Sequence, residues 1–121
     1  MALTEFGKAV RKARIDTGFT LLTMAEKLGT SPAFLSGMET GSKKIPEKWV
    51  TSIQQFFAEC GYDLPDLDLL ANISNENVPI TGLPHQQQML LGGFAKSEFT
   101  QEQLKAFADL LADINKNNPE K

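Results

Sequence analysis

Between Thr20 and Gly41 the chain reads TLLTMAEKLGTSPAFLSGMETG, and this stretch limits the possible folds more than any other. Gly29 falls where a short helix must end in the left-handed region, which a residue without Cβ enters at no steric cost. Ser31 and Pro32 form a helix start: the serine oxygen accepts a free N–H, and proline has none to lose. Gly41 is the next stop. The spacing therefore predicts two short helices joined by a turn at Leu28, Gly29 and Thr30, a helix-turn-helix unit whose second helix is of a kind that enters the major groove of DNA.

Helical spacing extends to both sides. Phe6, Ala9, Val10 and Ala13 repeat on one face between a capping Thr4 and a terminating Gly18, with Ile15 beyond and Lys8, Arg11 and Lys12 on the outer side. Thr20 caps the next helix, whose inward residues are Leu21 or Leu22, Met24, Ala25 and Leu28. In the helix after the turn, Phe34 or Leu35 and Met38 recur at core spacing. Pro32, Ala33, Ser36, Gly37 and Thr40 are left for the open face. A basic loop, Gly41 to Lys44, leads to Ile45-Pro46, where a fourth helix starts with the apolar stripe Trp49, Val50, Ile53, Phe56 and Phe57 and stops at Gly61. Residues 1–61 thus read as a domain of four to five helices.

From Tyr62 the texture changes. Asp63 to Ala71 is acidic with leucines and predicts a short helix after Pro65; Asn72 to Pro84 reads as a loop with one extended piece at Val78 to Leu83. Helical spacing resumes from His85 to Ala95, where the Gly92-Gly93 pair weakens the helix by roughly 1 kcal/mol per glycine relative to alanine unless another backbone comes close. Thr100 and Gln103 form a capping box that opens a terminal amphipathic helix, and the last five residues, NNPEK, read as frayed. The stripe Leu104, Phe107, Ala108, Leu111 and Ile114 needs a partner surface. Residues 62–121 therefore read as a helical dimerisation or partner-binding region, with Met89, Leu90, Phe94, Leu104, Phe107, Leu111 and Ile114 as the pairing residues. The class is all-α.

Charge divides the same way. Residues 1–61 hold eight Lys/Arg against six acids, and residues 62–121 hold four Lys against nine acids, so a net charge of −3 conceals a basic first half and an acidic second half. No apolar run approaches the roughly 18 residues of a membrane span, and the N-terminus lacks the apolar core of a signal peptide, which predicts a cytoplasmic protein with no membrane partner. One cysteine, Cys60, and one histidine, His85, exclude a disulfide framework or a Cys/His zinc site within one chain; no metal or cofactor is expected. No nucleophile elbow or phosphate-binding glycine loop appears, so an enzyme is not expected.

Arg14 and Gly18, Thr20, the Met24-Ala25 pair, Leu28-Gly29, Ser31, Leu35, and Glu39 followed by Gly41 together resemble the Cro/cI-type (XRE, lambda-repressor-like) helix-turn-helix family of transcriptional regulators. The resemblance covers about half the chain. It implies a lambda-repressor-like bundle that binds double-stranded DNA, and a structural ion pair between Arg14 and Glu39. It departs from the family at Leu21, where a glutamine is common, and at Pro32, Ala33 and Ser36, where glutamines or arginines often stand. Bidentate base readout needs Arg, Lys, Asn or Gln. Readout from this helix is accordingly limited to Ser31 and Ser36 hydrogen bonds and to apolar contact of Ala33 with a thymine methyl. Thr20, Thr23, Ser42, Lys43 and Lys44 are the expected phosphate contacts, and Pro32 and Thr40 complete the expected DNA face.

The second half resembles, more weakly, the helical tails through which such regulators dimerise, some of them cleaved by a companion metallopeptidase. The leading expectation is a repressor that binds an inverted repeat as a homodimer. The alternative is an antitoxin or protein-interaction module acting through its C-terminal tail, with a toxin or regulatory peptidase as partner and DNA binding secondary.

Overall fold

The computed structural model describes residues 2–116; the expectation of a frayed end at residues 117–121 lies outside them. The described residues form seven helices and no strand: α1 (Glu5–Thr17), α2 (Leu21–Leu28), α3 (Pro32–Thr40), α4 (Glu47–Ala58), α5 (Leu67–Asn75), α6 (His85–Lys96) and α7 (Gln101–Lys116). The chain divides into two compact units, Met1–Pro79 and Ile80–Lys121.

In the first unit, the helix ends are set by local hydrogen bonds. Thr4 Oγ1 accepts the Gly7 N–H at 3.0 Å and starts α1. Thr20 and Thr23 cap α2 reciprocally, each backbone N–H donating to the other's hydroxyl at 2.9 and 3.0 Å. Ser31 Oγ accepts the Phe34 N–H at 3.1 Å and starts α3, with Pro32 in its first turn. Gly29 and Gly41 end α2 and α3 at φ +79° and +85°, a conformation that L side chains rarely adopt.

Burying the apolar faces of these helices makes one core. Phe6, Val10 and Ala13 of α1 meet Met24 and Ala25 of α2, Leu35 and Met38 of α3, and Val50, Ile53 and Phe57 of α4, all buried. Of the alternatives left open by periodicity, Leu35 is fully buried and Phe34 is half-buried, edge-on to Trp49 at 5.7 Å between ring centroids. Leu21 likewise faces inward, whereas Leu22 is exposed. Ile15 is exposed too.

The N-terminus of α1 crosses the C-terminus of α3 at very short range. A Cβ on Gly7 would lie 2.0 Å from the carbonyl oxygen of Glu39, so only glycine allows this approach. That same carbonyl accepts the Thr4 N–H at 3.1 Å and the Thr4 hydroxyl at 3.0 Å. The Glu39 carboxylate is paired with the Arg14 guanidinium, Arg14 Nη1 donating to Oε2 and Nη2 to Oε1, the latter at 3.4 Å. Both side chains are buried.

Composition and structure part company after Gly61. The first unit runs on to Pro79, and α5 belongs to its core through Leu67 and Ala71, packing on α1 and α4. The helix extends through Asn75, so Asn72 to Asn75, expected as loop, are helical. The polar Asn/Ser pattern misleads because Asn75 has work to do: its side-chain amide accepts the Ile45 N–H at 2.8 Å and donates to the Ile45 carbonyl at 2.9 Å, replacing a strand-like pairing for an otherwise unmatched loop residue. Val78 to Leu83 contains a turn rather than an extended piece. A smaller tie joins Tyr62 to α1: its hydroxyl donates to Asp16 Oδ2 at 2.9 Å, and Lys12 Nζ donates to the same oxygen. The Lys12 hydrogen bond, with that of Tyr62, holds the Asp16 carboxyl below the usual carboxylate range.

The second unit holds α6 and α7, joined by the short segment 97–100. Thr100 and Gln103 form the expected capping box, at 3.0 and 3.1 Å. Phe94, Phe99 and Phe107 make a mutual aromatic cluster with centroids 4.7 to 5.2 Å apart. Beyond the helix's own backbone, nothing lies within 4 Å of a Cβ built on Gly92 or Gly93, so no other backbone comes close enough to offset their cost to α6.

Two outcomes are expected. Glu39→Ala leaves the Arg14 charge buried and alone, and should lower the unfolding free energy in urea by about 3–5 kcal/mol, while adding Arg14→Met recovers most of the loss; equal losses in the single and double variants would mean the pair is uncoupled. A fragment of residues 1–79 should unfold in one cooperative transition, whereas a fragment of residues 1–61, stripped of Leu67 and Ala71, should show none above its baseline.

Candidate nucleic-acid interface

The candidate DNA face is carried by the first unit. Ala33 is exposed on α3, and Pro32, Ser36 and Thr40 are half-buried around it. Gly37, expected on this open face, is buried instead. The reason is Lys43: a Cβ on Gly37 would lie 2.5 Å from Lys43 Cγ, so the aliphatic stem of the lysine lies directly over the glycine. The Lys43 N–H donates to the Gly37 carbonyl at 3.1 Å, which holds the loop against α3. Hydroxyls of Thr40 and Ser42 fill the same corner, 3.4 Å apart.

The two loop lysines have different surroundings. Lys44 Nζ donates to the Asn75 carbonyl at 2.7 Å, placing its charge at the C-terminal end of α5, where the helix dipole favours a cation. Lys43 is seated on α3 by its stem while its residue remains exposed. The arrangement brings a positive charge to an otherwise uncharged helix surface. Sequence spacing treats these neighbours as equivalent; only the position of Asn75, thirty-one residues on from Lys44, separates them.

Three of the expected hydroxyl contacts double as caps. Thr20 and Thr23 satisfy each other's N–H groups, and Ser31 Oγ is engaged by Phe34. Their exposed hydroxyl groups still mark where helix N-termini open to solvent, and the N–H groups of Leu21 and Leu22, in the first turn of α2, point out of the helix end. A helix N-terminus of this kind suits an anion such as a backbone phosphate. Spacing does not single out Lys48, on α4, whose ammonium lies 5.8 Å from the Trp49 ring centroid.

The surface of α1 is a separate feature. Lys8, Arg11 and Lys12 border a shallow, wide-open depression with Leu3 and Ile15, and Lys8 and Lys12 are already paired with Glu5 and Asp16. The Lys12 ammonium is held above its ordinary range by its hydrogen bond to Asp16, with Tyr62 adding to the effect. The expected pairing residues lie in the other unit: Met89, Leu90 and Phe94 on α6, and Leu104, Phe107, Leu111 and Ile114 on α7, all of them exposed.

Among the described residues no three His, Cys, Asp or Glu side chains are placed to hold a metal ion, and no helix is long and apolar enough to cross a membrane. Cys60 is exposed. Compared with known proteins, the chain matches no family model, no curated protein and no solved structure.

Proposed function

We propose that this chain is a sequence-specific DNA-binding transcriptional regulator with a lambda-repressor-like first unit, acting in the cytoplasm as a repressor on an inverted-repeat operator bound by a homodimer. The observation that carries the reading is the α2–turn–α3 unit with Lys43 seated over Gly37. A slim helix of small residues can lie deep in the major groove, and Lys43 is the cationic side chain fixed to its edge.

In this reading α3 enters the groove with Ala33 and Ser36 toward the bases, and Pro32 and Thr40 complete the fit. Thr20, Thr23 and Ser42 contact phosphate through hydroxyls and the free N–H groups at the start of α2. Lys44 acts mainly by holding the loop to α5. Small reading residues leave much of the selectivity to groove shape and to the distance between half-sites.

A protein-interaction module, such as an antitoxin that contacts a toxin or a regulatory peptidase through its tail, is the second reading. It is favoured by the uncharged α3 surface and by the exposed apolar side chains of α6 and α7.

Selection from a random-sequence DNA duplex library should enrich an inverted repeat, and binding to that duplex should weaken with salt at a log-log slope of roughly −7, for about four phosphates per protomer. Lys43→Gln should reduce affinity on the order of 10-fold with an unchanged melting temperature, and Lys44→Gln should reduce it less. No enriched sequence, or a Lys43→Glu/Lys44→Glu chain that binds as well as the wild type at physiological salt, would sink the proposal.

A further inference from the structure

Helices α4 and α5 pack on each other, but not along their whole length. Where Ile45 leads into the first turn of α4, a cleft of about 410 Å³ opens between them, within the first unit. Glu47 and Val50 line it at i, i+3 on α4, and Asp68, Ala71 and Asn72 line it at i, i+3 and i+4 on α5, so each helix presents one stripe to the same space. Its apolar part is Ile45, Val50 and Ala71, all members of the core cluster. A concave space of roughly 300–1,000 Å³ with an apolar floor and a few convergent polar groups is the usual form of a small-molecule site.

The polar groups decide which molecule fits. Among the described residues neither Glu47 nor Asp68 is paired with a cation. The lysines close to Glu47 in the chain are engaged elsewhere: Lys44 donates to the Asn75 carbonyl, and the Lys48 ammonium lies beside the Trp49 ring. The Asn75 amide is spent on Ile45, whereas that of Asn72 is left for a ligand. Each acid stands in the first turn of its helix, where the dipole suits a carboxylate. That accounts for either acid alone, but not for one from each helix lining a single cleft with an apolar floor. Two carboxylates repel an anion and leave a neutral ligand without a counter-charge. Among the described residues no three His, Cys, Asp or Glu side chains come together to hold a metal ion. An organic cation with an apolar body meets every part of the lining.

We propose that the α4–α5 cleft binds a short aliphatic diamine, with its methylene chain on Ile45, Val50 and Ala71 and its ammonium groups donating to Glu47, Asp68 and the Asn72 side-chain carbonyl. The site requires no DNA and does not rest on the regulator reading. Ile45 and Asn75, which also line the cleft, are the pair that ties the loop after α3 to α5, and the Lys44 ammonium sits on the Asn75 carbonyl. Occupancy of the cleft is therefore felt at Lys44.

A titration of the nitrogen-labelled full chain with putrescine, followed by amide chemical shifts at constant ionic strength and without DNA, tests this. The expected result is a saturable shift confined to the lining residues and to Lys44. Butylamine, with one ammonium, should bind more weakly, and butanediol, which keeps the chain length without charge, should not compete. Glu47→Gln/Asp68→Asn, at two exposed positions, should keep the melting temperature and weaken binding on the order of 10-fold. Shifts that never saturate, or that spread equally to Glu102, Asp109 and Asp113 on α7, would overturn the proposal, because they report only a diffuse attraction to acidic side chains. Competition by butanediol, displacement by an equal concentration of magnesium, or unchanged binding in the double variant would overturn it too. A saturating titration that leaves Ile45 and Lys44 unmoved would remove the link to the loop. A failed duplex selection leaves the diamine site standing, and a failed titration leaves the DNA reading standing.

Discussion

Glu39 is the residue on which the first unit depends. Its carboxylate is spent on Arg14 and its carbonyl on Thr4, so one residue near the end of α3 is bound twice to α1. A buried ion pair is a weak source of net stability, because desolvation cancels much of the attraction, but a broken one is costly. The pair therefore acts chiefly as a constraint on register: α3 can cross α1 at one position only, where Gly7 admits the Glu39 carbonyl. Fixing that crossing fixes which side of α3 faces water, and so where Ala33, Ser36 and Lys43 are presented.

A second constraint closes the other side of the helix pair. Asn75 copies a backbone partner for Ile45, and its own carbonyl takes the Lys44 ammonium, so the loop after α3 is clamped between α5 and α3. Lys43 inherits its position from this clamp and from the missing side chain at Gly37. The candidate reading surface is thus built by residues from three helices, α1, α3 and α5, and one loop, though its exposed groups are few and small. The second unit obeys a different logic. Its last helix, α7, is capped by Thr100 and Gln103 and carries an apolar stripe, yet the unit's apolar side chains are left exposed within one chain.

Much of the fold was legible in the sequence. The ends of α1, α2 and α3 and the start of α7 follow from Thr4, Gly18, Thr20, Gly29, Ser31, Gly41 and Thr100, the start of α4 within two residues from Ile45-Pro46, and α6 from its apolar spacing. Such signals work because a cap and its partner are three or four residues apart, within reach of local spacing. The Arg14–Glu39 pair was reachable through the family resemblance alone. What misled was texture: Asn72 to Asn75 looks like loop because asparagine and serine are poor helix formers, and tertiary packing of Leu67 and Ala71 overrides that preference.

By itself, then, the sequence determined the helices and their apolar faces, since those depend on neighbours along the chain. Tertiary structure alone decided that Gly7 is indispensable where α1 crosses α3, that Leu35 rather than Phe34 fills the core, and that α5 completes it. It also separated Lys43 from Lys44, neighbours of identical chemistry. Periodicity cannot distinguish two adjacent lysines in a loop. A glycine six residues before one and an asparagine thirty-one residues after the other can, because each contact exists only once the chain has closed around its core.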